Sequence, residues 1–391
     1  MAYAVPTRRS HRGSKTDWTL GLTRLCWAVL AVTLGCRARA EPERELPPAR
    51  PAVSKPTTPL VVAHGGQGSP AELSDGPEAA VTAAHRALQA GASAVDAAVA
   101  GMVVLEDDPR FNAGTGANLR LDGRTIECDA AVMSDDGTYG AVAGLPSVKN
   151  PVLVAQAVSQ TPHVLLAGAG ADAFATTIGV DRAELGTELA KQRLERALRR
   201  LMGADPLEPV WLEFDWRARW NFPTAPPGTL EEAIAKLEHG SRPRVANTNV
   251  GRANIDDTKD TVGVVLRTAD GRYVAALSTG GTTLALRGRV GDVPIYGAGL
   301  YAGPAGAVAA TGVGEAIMRA FAARDVYALL EDGVHPREAI RRVMIRVPRG
   351  TGVGMIAVSS LGFAARATSE MAWAMHDGER VVRADENVWY E

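Results

Sequence analysis

From residue 203 to 258 the chain loses its regular hydropathy pattern. Pro206, Pro209, Pro223, Pro226, Pro227 and Pro243 interrupt it, and Trp211, Trp216 and Trp220 lie among them. More than fifty residues of weak structure inside a compact domain mark a linker or a functional segment. One short helix, Leu230–Glu238, is expected within it. The chain on either side is strongly patterned. Ahead of it, Leu60–Ala63 reads as a buried strand entering a tight turn at His64-Gly65-Gly66. Two Ala-rich helices follow between Glu78 and Glu106, separated at Gly91. Strands at Thr125–Met133 and Thr138–Val142 flank the turn Ser134-Asp135-Asp136-Gly137. A helix at Val152–Ser159, a strand at His163–Leu166 and an amphipathic helix at Arg182–Met202 complete this half. Beyond residue 258, Thr261–Arg267 and Arg272–Ser278 form a hairpin about Ala269-Asp270-Gly271. Then come a strand at Gly306–Thr311, helices at Glu315–Leu330 and Pro336–Ile345, and strands at Gly354–Ser359, Phe363–Ala367 and Arg380–Arg383. Strands, then helices, then strands predict a layered α/β fold with antiparallel pairing.

The start of the chain has a separate character. Residues 1–24 carry Arg8, Arg9, Arg12, Lys15 and Arg24 against one acid, Asp17, and an apolar run follows from Leu25 to Gly35. That run is too short to span a bilayer, which needs about 20 residues. A basic segment followed by a short apolar one is the pattern of a secretory signal. Two exits are readable: Thr33-Leu34-Gly35-Cys36, similar to a bacterial lipobox with Cys36 as the lipidated residue, and the A-x-A site Ala38-Arg39-Ala40. Residues 41–59 hold six prolines and read as an extended tether. The expected organisation is a signal over 1–40, a tether over 41–59 and a folded body from residue 60. The expected location is exported and periplasmic, with a lipid anchor if Cys36 is the exit.

Several function classes are excluded. A formal net charge of −2 over 391 residues offers no clustered basic charge for phosphates, so no nucleic-acid partner is expected. Three cysteines cannot build a disulfide scaffold, and Cys128 reads as a small core residue. There is no P-loop, no G-x-S-x-G elbow and no H-E-x-x-H pair, so nucleotide, α/β-hydrolase and zinc chemistry lack their motifs.

What carries chemistry is Asp260-Thr261-Val262-Gly263, at the end of the irregular segment. A threonine hydroxyl needs a base within hydrogen-bond reach. Cutting the bond before Thr261 would supply one, since the new α-amine, with a pKa near ~8, would lie beside the hydroxyl. The irregular segment would let the other new end move away.

The surrounding motifs resemble the plant-type asparaginase and isoaspartyl peptidase family, N-terminal nucleophile threonine hydrolases related to glycosylasparaginase. In order, they are His64-Gly65-Gly66, Phe111-Asn112-Ala113-Gly114-Thr115-Gly116, Glu127-Cys128-Asp129-Ala130-Ala131-Val132-Met133 and Gly140-Ala141-Val142-Ala143-Gly144 with Lys149-Asn150-Pro151. After them come Thr261-Val262-Gly263, Ser278-Thr279-Gly280-Gly281, Gly288-Arg289-Val290-Gly291-Asp292 and Ala310-Thr311-Gly312-Val313-Gly314-Glu315.

The resemblance implies a four-layer αββα sandwich cut into an N-terminal subunit, 60–260, and a C-terminal one, 261–391. It implies Thr261 as nucleophile in autocleavage after Asp260 and then in amide hydrolysis. Thr279 would orient it, and Asn112 would help to position the cleavage site. Thr311 and Gly312 would form the oxyanion hole. Arg289 would grip the substrate α-carboxylate, Asp292 its α-ammonium, and Gly314 would line that subsite. No organic cofactor is implied; a structural sodium ion on the backbone of Leu105, Glu106, Asp108 and Phe111 is. The partners implied are a small molecule or dipeptide with an aspartyl head group and a second αβ unit, giving (αβ)₂. Asp260 is the habit of glycosylasparaginases, whereas the Phe111–Gly116 and Ser278–Gly281 motifs match isoaspartyl peptidases. Cleavage of β-aspartyl peptides and L-asparagine is therefore the main expectation. The alternatives are a GlcNAc-Asn hydrolase and a silent exported lipoprotein that kept the fold.

Overall fold

The computed structural model of the chain describes residues 58–203, 211, 213–239 and 261–384. The signal segment, Cys36, most of the tether, Asp260 and the rest of the 203–258 stretch lie outside the described residues.

The described residues form two sheets. The larger contains β1 (Leu60–Gln67), β2 (Cys128–Ser134), β3 (Tyr139–Leu145), β4 (Leu165–Ala167), β5 (Val262–Arg267), β6 (Tyr273–Thr279), β11 (Met371–His376) and β12 (Val381–Arg383). Their spatial order is β12-β11-β1-β5-β6-β2-β3-β4. Neighbours pair antiparallel except β3 and β4, which run parallel. The smaller sheet is β7 (Leu300–Gly303), β8 (Gly306–Gly312), β9 (Val353–Ser359) and β10 (Gly362–Ala367), in the order β10-β9-β8-β7.

Helices α1 (Asp75–Gln89), α2 (Ala94–Asp107), α3 (Pro151–Val158) and α4 (Gly168–Thr177) share an apolar cluster with the large sheet, through Val61, Ala63, Val132 and Val264. Alternation puts Leu60, Val62, Val265 and Leu277 on the opposite face, in a second cluster with Leu300, Ala307, Ile356 and Val358 of the small sheet. The far face of the small sheet packs through Val308, Met355 and Ala357 on α7 (Gly314–Ala320), α8 (Ala322–Glu331) and α9 (Pro336–Met344). The fold is mixed α/β.

Local chemistry explains where these elements begin. Ser93 caps α2 by accepting the Asp96 amide at 3.1 Å, and Thr187 caps α5 (Glu188–Met202) by accepting the Ala190 amide at 3.1 Å. The Thr187 cap is why α5 starts six residues later than the periodicity from Arg182 predicts. The strand at Leu60 does not turn at His64-Gly65-Gly66 but runs through to Gln67. The single helix expected over Glu315–Leu330 is two, because Phe321 adopts the left-handed conformation at φ 49°. Three elements escape the pattern: α4, β7 and β11. The last, Met-Ala-Trp-Ala-Met-His, has no β-branched residue, and its Met and Ala favour helix.

The irregular stretch is partly built. α6 (Leu230–His239) matches the expected helix, and Trp216, Phe222, Ala233 and Leu237 join an apolar cluster with Leu194 and Leu198 of α5 and with Leu119, Leu121 and Leu284.

Candidate active site

Thr261 is buried at the head of β5, on the side that Gly263 and Val265 turn toward the small sheet. Its backbone nitrogen donates to the Thr311 hydroxyl oxygen at 3.2 Å. Thr311 faces it because Ala307 and Ala309, four and two residues earlier on β8, lie in the cluster shared by both sheets. The Gln67 amide donates to the same oxygen at 3.1 Å. With two N–H donors on its oxygen, the Thr311 hydroxyl is left to direct its own hydrogen elsewhere. Next along β8, Gly312 sits at φ 125°, and a Cβ there would come within 2.2 Å of the Gly352 carbonyl, so the backbone approach needs glycine.

Thr279 ends β6, opposite Asp129 of β2, and its hydroxyl accepts the Gly281 amide at 3.0 Å. Asn112 bridges loops: its side chain donates to the Gly281 carbonyl at 2.7 Å and accepts the Asn118 amide at 2.8 Å. Its carbonyl accepts the Gly280 amide at 2.9 Å.

Arg289 and Asp292 lie on one turn. Arg289 makes a two-pronged ion pair with Glu315, Nε–Oε1 at 3.0 Å and Nη2–Oε2 at 2.9 Å. Asp292 is buried, and its Oδ2 has no hydrogen-bond partner among the described residues. Burial pushes its carboxyl up to about 7, against the pull of its own backbone amide and of Arg289. Gly314 is where the two meet: a Cβ on it would lie 2.8 Å from both Arg289 Nη2 and Asp292 Oδ1. A cation and an anion thus flank one small backbone patch, an arrangement that matches a zwitterionic amino-acid head group.

A family model described as Asparaginase matches residues 57–384. The chain belongs to this family. It is 35% identical over 320 residues to the isoaspartyl peptidase of Escherichia coli, covering 78% of this chain and 87% of that protein. With the isoaspartyl peptidase/L-asparaginase of Homo sapiens it shares 34% identity over 334 residues, 81% of this chain and 92% of the relative. With the plant-type L-asparaginase of Pyrococcus furiosus the figures are 34% over 328 residues, 80% and 95%.

Within this asparaginase-family site, several residues went unassigned in the sequence. Asp129 is fully buried and accepts the Gly144 amide at 2.8 Å and the Gly291 amide at 3.3 Å; burial raises its carboxyl above the usual range. Arg120, also fully buried, donates to the carbonyls of Glu127 at 2.9 Å and Arg289 at 3.2 Å, and Glu127 accepts the Gly288 amide at 2.7 Å. Asp129, Glu127 and Glu315 stand inside the recognised motifs, which could have flagged them. Gln67 and Arg120 carry no such signal, since one acts through its amide and the other through long reach.

His64 is fully buried on the Thr261 side of β1, with Gly263 of β5 as its strand neighbour. Burial drives it down to about 3, against a smaller opposing effect of the Thr261 backbone, so it is neutral at physiological pH. Its Nε2 lies over the backbone of Gly263, where a Cβ would come within 2.4 Å of it. Cys128 is buried and its thiol is pushed up to about 12, which fits a core residue.

The last turn of α2 and the loop after it supply backbone oxygens. The Glu106 carbonyl accepts the Thr115 amide at 2.8 Å and the Asp108 carbonyl the Phe111 amide at 3.2 Å, each keeping a second lone pair. Oxygen donors of this kind suit a hard cation. Among the described residues, no group of three or more His, Cys, Asp or Glu could hold a metal ion.

Proposed function

We propose that this chain is an autoprocessed threonine amidohydrolase that cleaves β-aspartyl peptides and L-asparagine. The observation that supports the reading is that Thr311 of β8 accepts the Thr261 amide, and that three residues further on Gly314 lies between Arg289 and Asp292. In the first step the Thr261 hydroxyl attacks the Asp260 carbonyl, and the peptide shifts from nitrogen to oxygen. That shift breaks the Asp260–Thr261 amide and frees the Thr261 amine, and water then hydrolyses the ester, leaving Asp260 as a C-terminal carboxylate and returning the Thr261 hydroxyl.

In turnover that amine takes the hydroxyl proton as Thr261 Oγ attacks the substrate β-carbonyl. The Thr311 hydroxyl and the Gly312 amide stabilise the oxyanion. The leaving amine departs with the proton, and water resolves the acyl-enzyme. Arg289 and Asp292 hold the aspartyl α-carboxylate and α-ammonium, Thr279 orients the nucleophile, and Asn112 braces the loop beside the cleavage site. No organic cofactor takes part. A sodium ion on the carbonyls of Leu105, Glu106, Asp108 and Phe111 would only stiffen their loop.

The same reading stacks the elements as helix, sheet, sheet and helix, which the three apolar clusters support. It divides the body into subunits 60–260 and 261–391, paired as (αβ)₂, and takes the chain as exported to the periplasm, with Cys36 as a lipid site. Among the described residues no helix is long and apolar enough to cross a membrane.

The test is direct. Incubated wild-type protein should yield a C-terminal fragment beginning Thr-Val-Gly-Val-Val and should hydrolyse a β-aspartyl dipeptide and asparagine. Thr261→Ala should do neither. Hydrolysis by Thr261→Ala would remove the nucleophile from this scheme. A strong preference for GlcNAc-Asn would move the substrate to the glycosylated class, and a chain that stays whole and inert would fit the binding-lipoprotein alternative.

A further inference from the structure

The aromatic insertion between α5 and the cleavage point has no part in the chemistry above, yet it touches the turn that carries Arg289. The Asn221 side chain donates to the Arg287 carbonyl at 2.8 Å and accepts the Arg287 amide at 3.1 Å. Both backbone groups of one residue, two positions before Arg289, are thus held by a single amide. The apolar cluster of Trp216 and Phe222 also includes Leu284, with Leu286 and Trp220 packed against it. The Leu286 carbonyl accepts the Arg289 amide at 3.2 Å, so the clamped segment leads straight into the arginine's own turn. From the other side Arg120 holds the Arg289 carbonyl, Glu127 the Gly288 amide and Asp129 the Gly291 amide.

We propose that the 213–239 insertion is a fixed wall of the carboxylate subsite, with Asn221 as a positioning residue that sets where the Arg289 fork sits. The inference rests on the hydrolase reading and deepens it: the insertion governs how well an aspartyl α-carboxylate is bound. Bidentate recognition tolerates little displacement, because both N–H···O bonds must align together. A clamp on the turn therefore acts on substrate affinity and leaves the nucleophile at the head of β5 untouched. Asn221 and Arg287 are both exposed, so each hydrogen bond is worth the lower part of its ordinary range, and the effect is moderate.

The experiment compares wild type, Asn221→Ala and Asn221→Asp on a β-aspartyl dipeptide and on its analogue with the aspartyl α-carboxylate converted to a carboxamide. Autocleavage reports folding, and all three chains should process alike. Asn221→Ala should raise KM for the dipeptide about three- to tenfold, with kcat within about twofold. Asn221→Asp keeps the acceptor for the Arg287 amide and should fall between. On the carboxamide, where the Arg289 fork no longer meets a substrate carboxylate, Asn221→Ala should add no further loss, the non-additivity expected of groups that act together. An unchanged KM, a fall in kcat alone, or an equal rise on the carboxamide overturns the clamp. Wild-type protein that cleaves no β-aspartyl dipeptide overturns the parent reading and removes the clamp's role with it, a result distinct from active wild type with an indifferent Asn221.

Discussion

Burial has raised the Asp292 carboxyl to about 7, so its protonation changes across the neutral range. Only the ionised form pairs with a substrate ammonium, so affinity for an aspartyl head group should rise as pH increases through that value. The stability effect has the opposite direction. A carboxyl raised above its unfolded value near 3.9 favours the folded state while protonated, and that contribution is lost as pH climbs through about 7. Asp292→Asn should therefore melt higher than wild type at pH 9 and match it more closely at pH 5, and its loss of aspartate binding should be large at pH 9 and small at pH 5. Thermal melts and aspartate titrations at the two pH values check it; a variant destabilised equally at both would show that the Asp292 charge carries no folding cost. Thr261, Arg289 and Asp292 were legible in the sequence because each sits in a short Gly-marked motif. Gln67 was not, because its contribution to Thr311 is a backbone amide that any residue could supply.

Among elements, α5 shows how a helix outside the site can hold a loop within it. The role of Arg193 was not legible in the sequence, since an arginine on an amphipathic helix ordinarily faces water. Here Arg193 is buried and donates to the Gly116 carbonyl at 3.2 Å and the Arg110 carbonyl at 2.6 Å. Those carbonyls bracket Asn112. Arg193→Met should leave both short of a buried donor and cost about 2–4 kcal/mol. Autocleavage should slow with it, because the Asn112 loop loosens. Arg193→Lys should rescue only part of the loss, as a single ammonium cannot match a fork that spans two oxygens. Denaturant titration and a timed gel separate the outcomes; full rescue by lysine would reduce the role of Arg193 to its charge. The elements that the pattern did not reveal share one cause. β11 is defined by its place between β1 and β12, and the α7–α8 break by one left-handed residue, so tertiary context overrides local preference at both.

At the scale of the whole molecule, cleavage before Thr261 would divide the chain but not the fold. In the large sheet β12 and β11 come from after residue 261, β1 from before it, β5 and β6 from after it, and β2, β3 and β4 from before it. Three strand–strand seams therefore join the two pieces: β11 to β1, β1 to β5, and β6 to β2. The sequence announced two patterned halves about an irregular stretch, but it could not show that they interleave, because strand order depends on distant pairings, from Ser134 with Val274 to Val61 with His376. Separating the pieces would strip β1 of both neighbours and open the apolar clusters on each face of the sheet, so it amounts to global unfolding. Cleavage should accordingly leave the assembly intact. On a denaturing gel, the 131 residues from Thr261 onward of a 41.0 kDa chain should run as a fragment of about 14 kDa. On a native sizing column, both fragments should elute together at the volume of the uncut Thr261→Ala protein, and they should part only at denaturant concentrations that abolish the fold. Fragments that separate without denaturant would contradict the interleaved sheet.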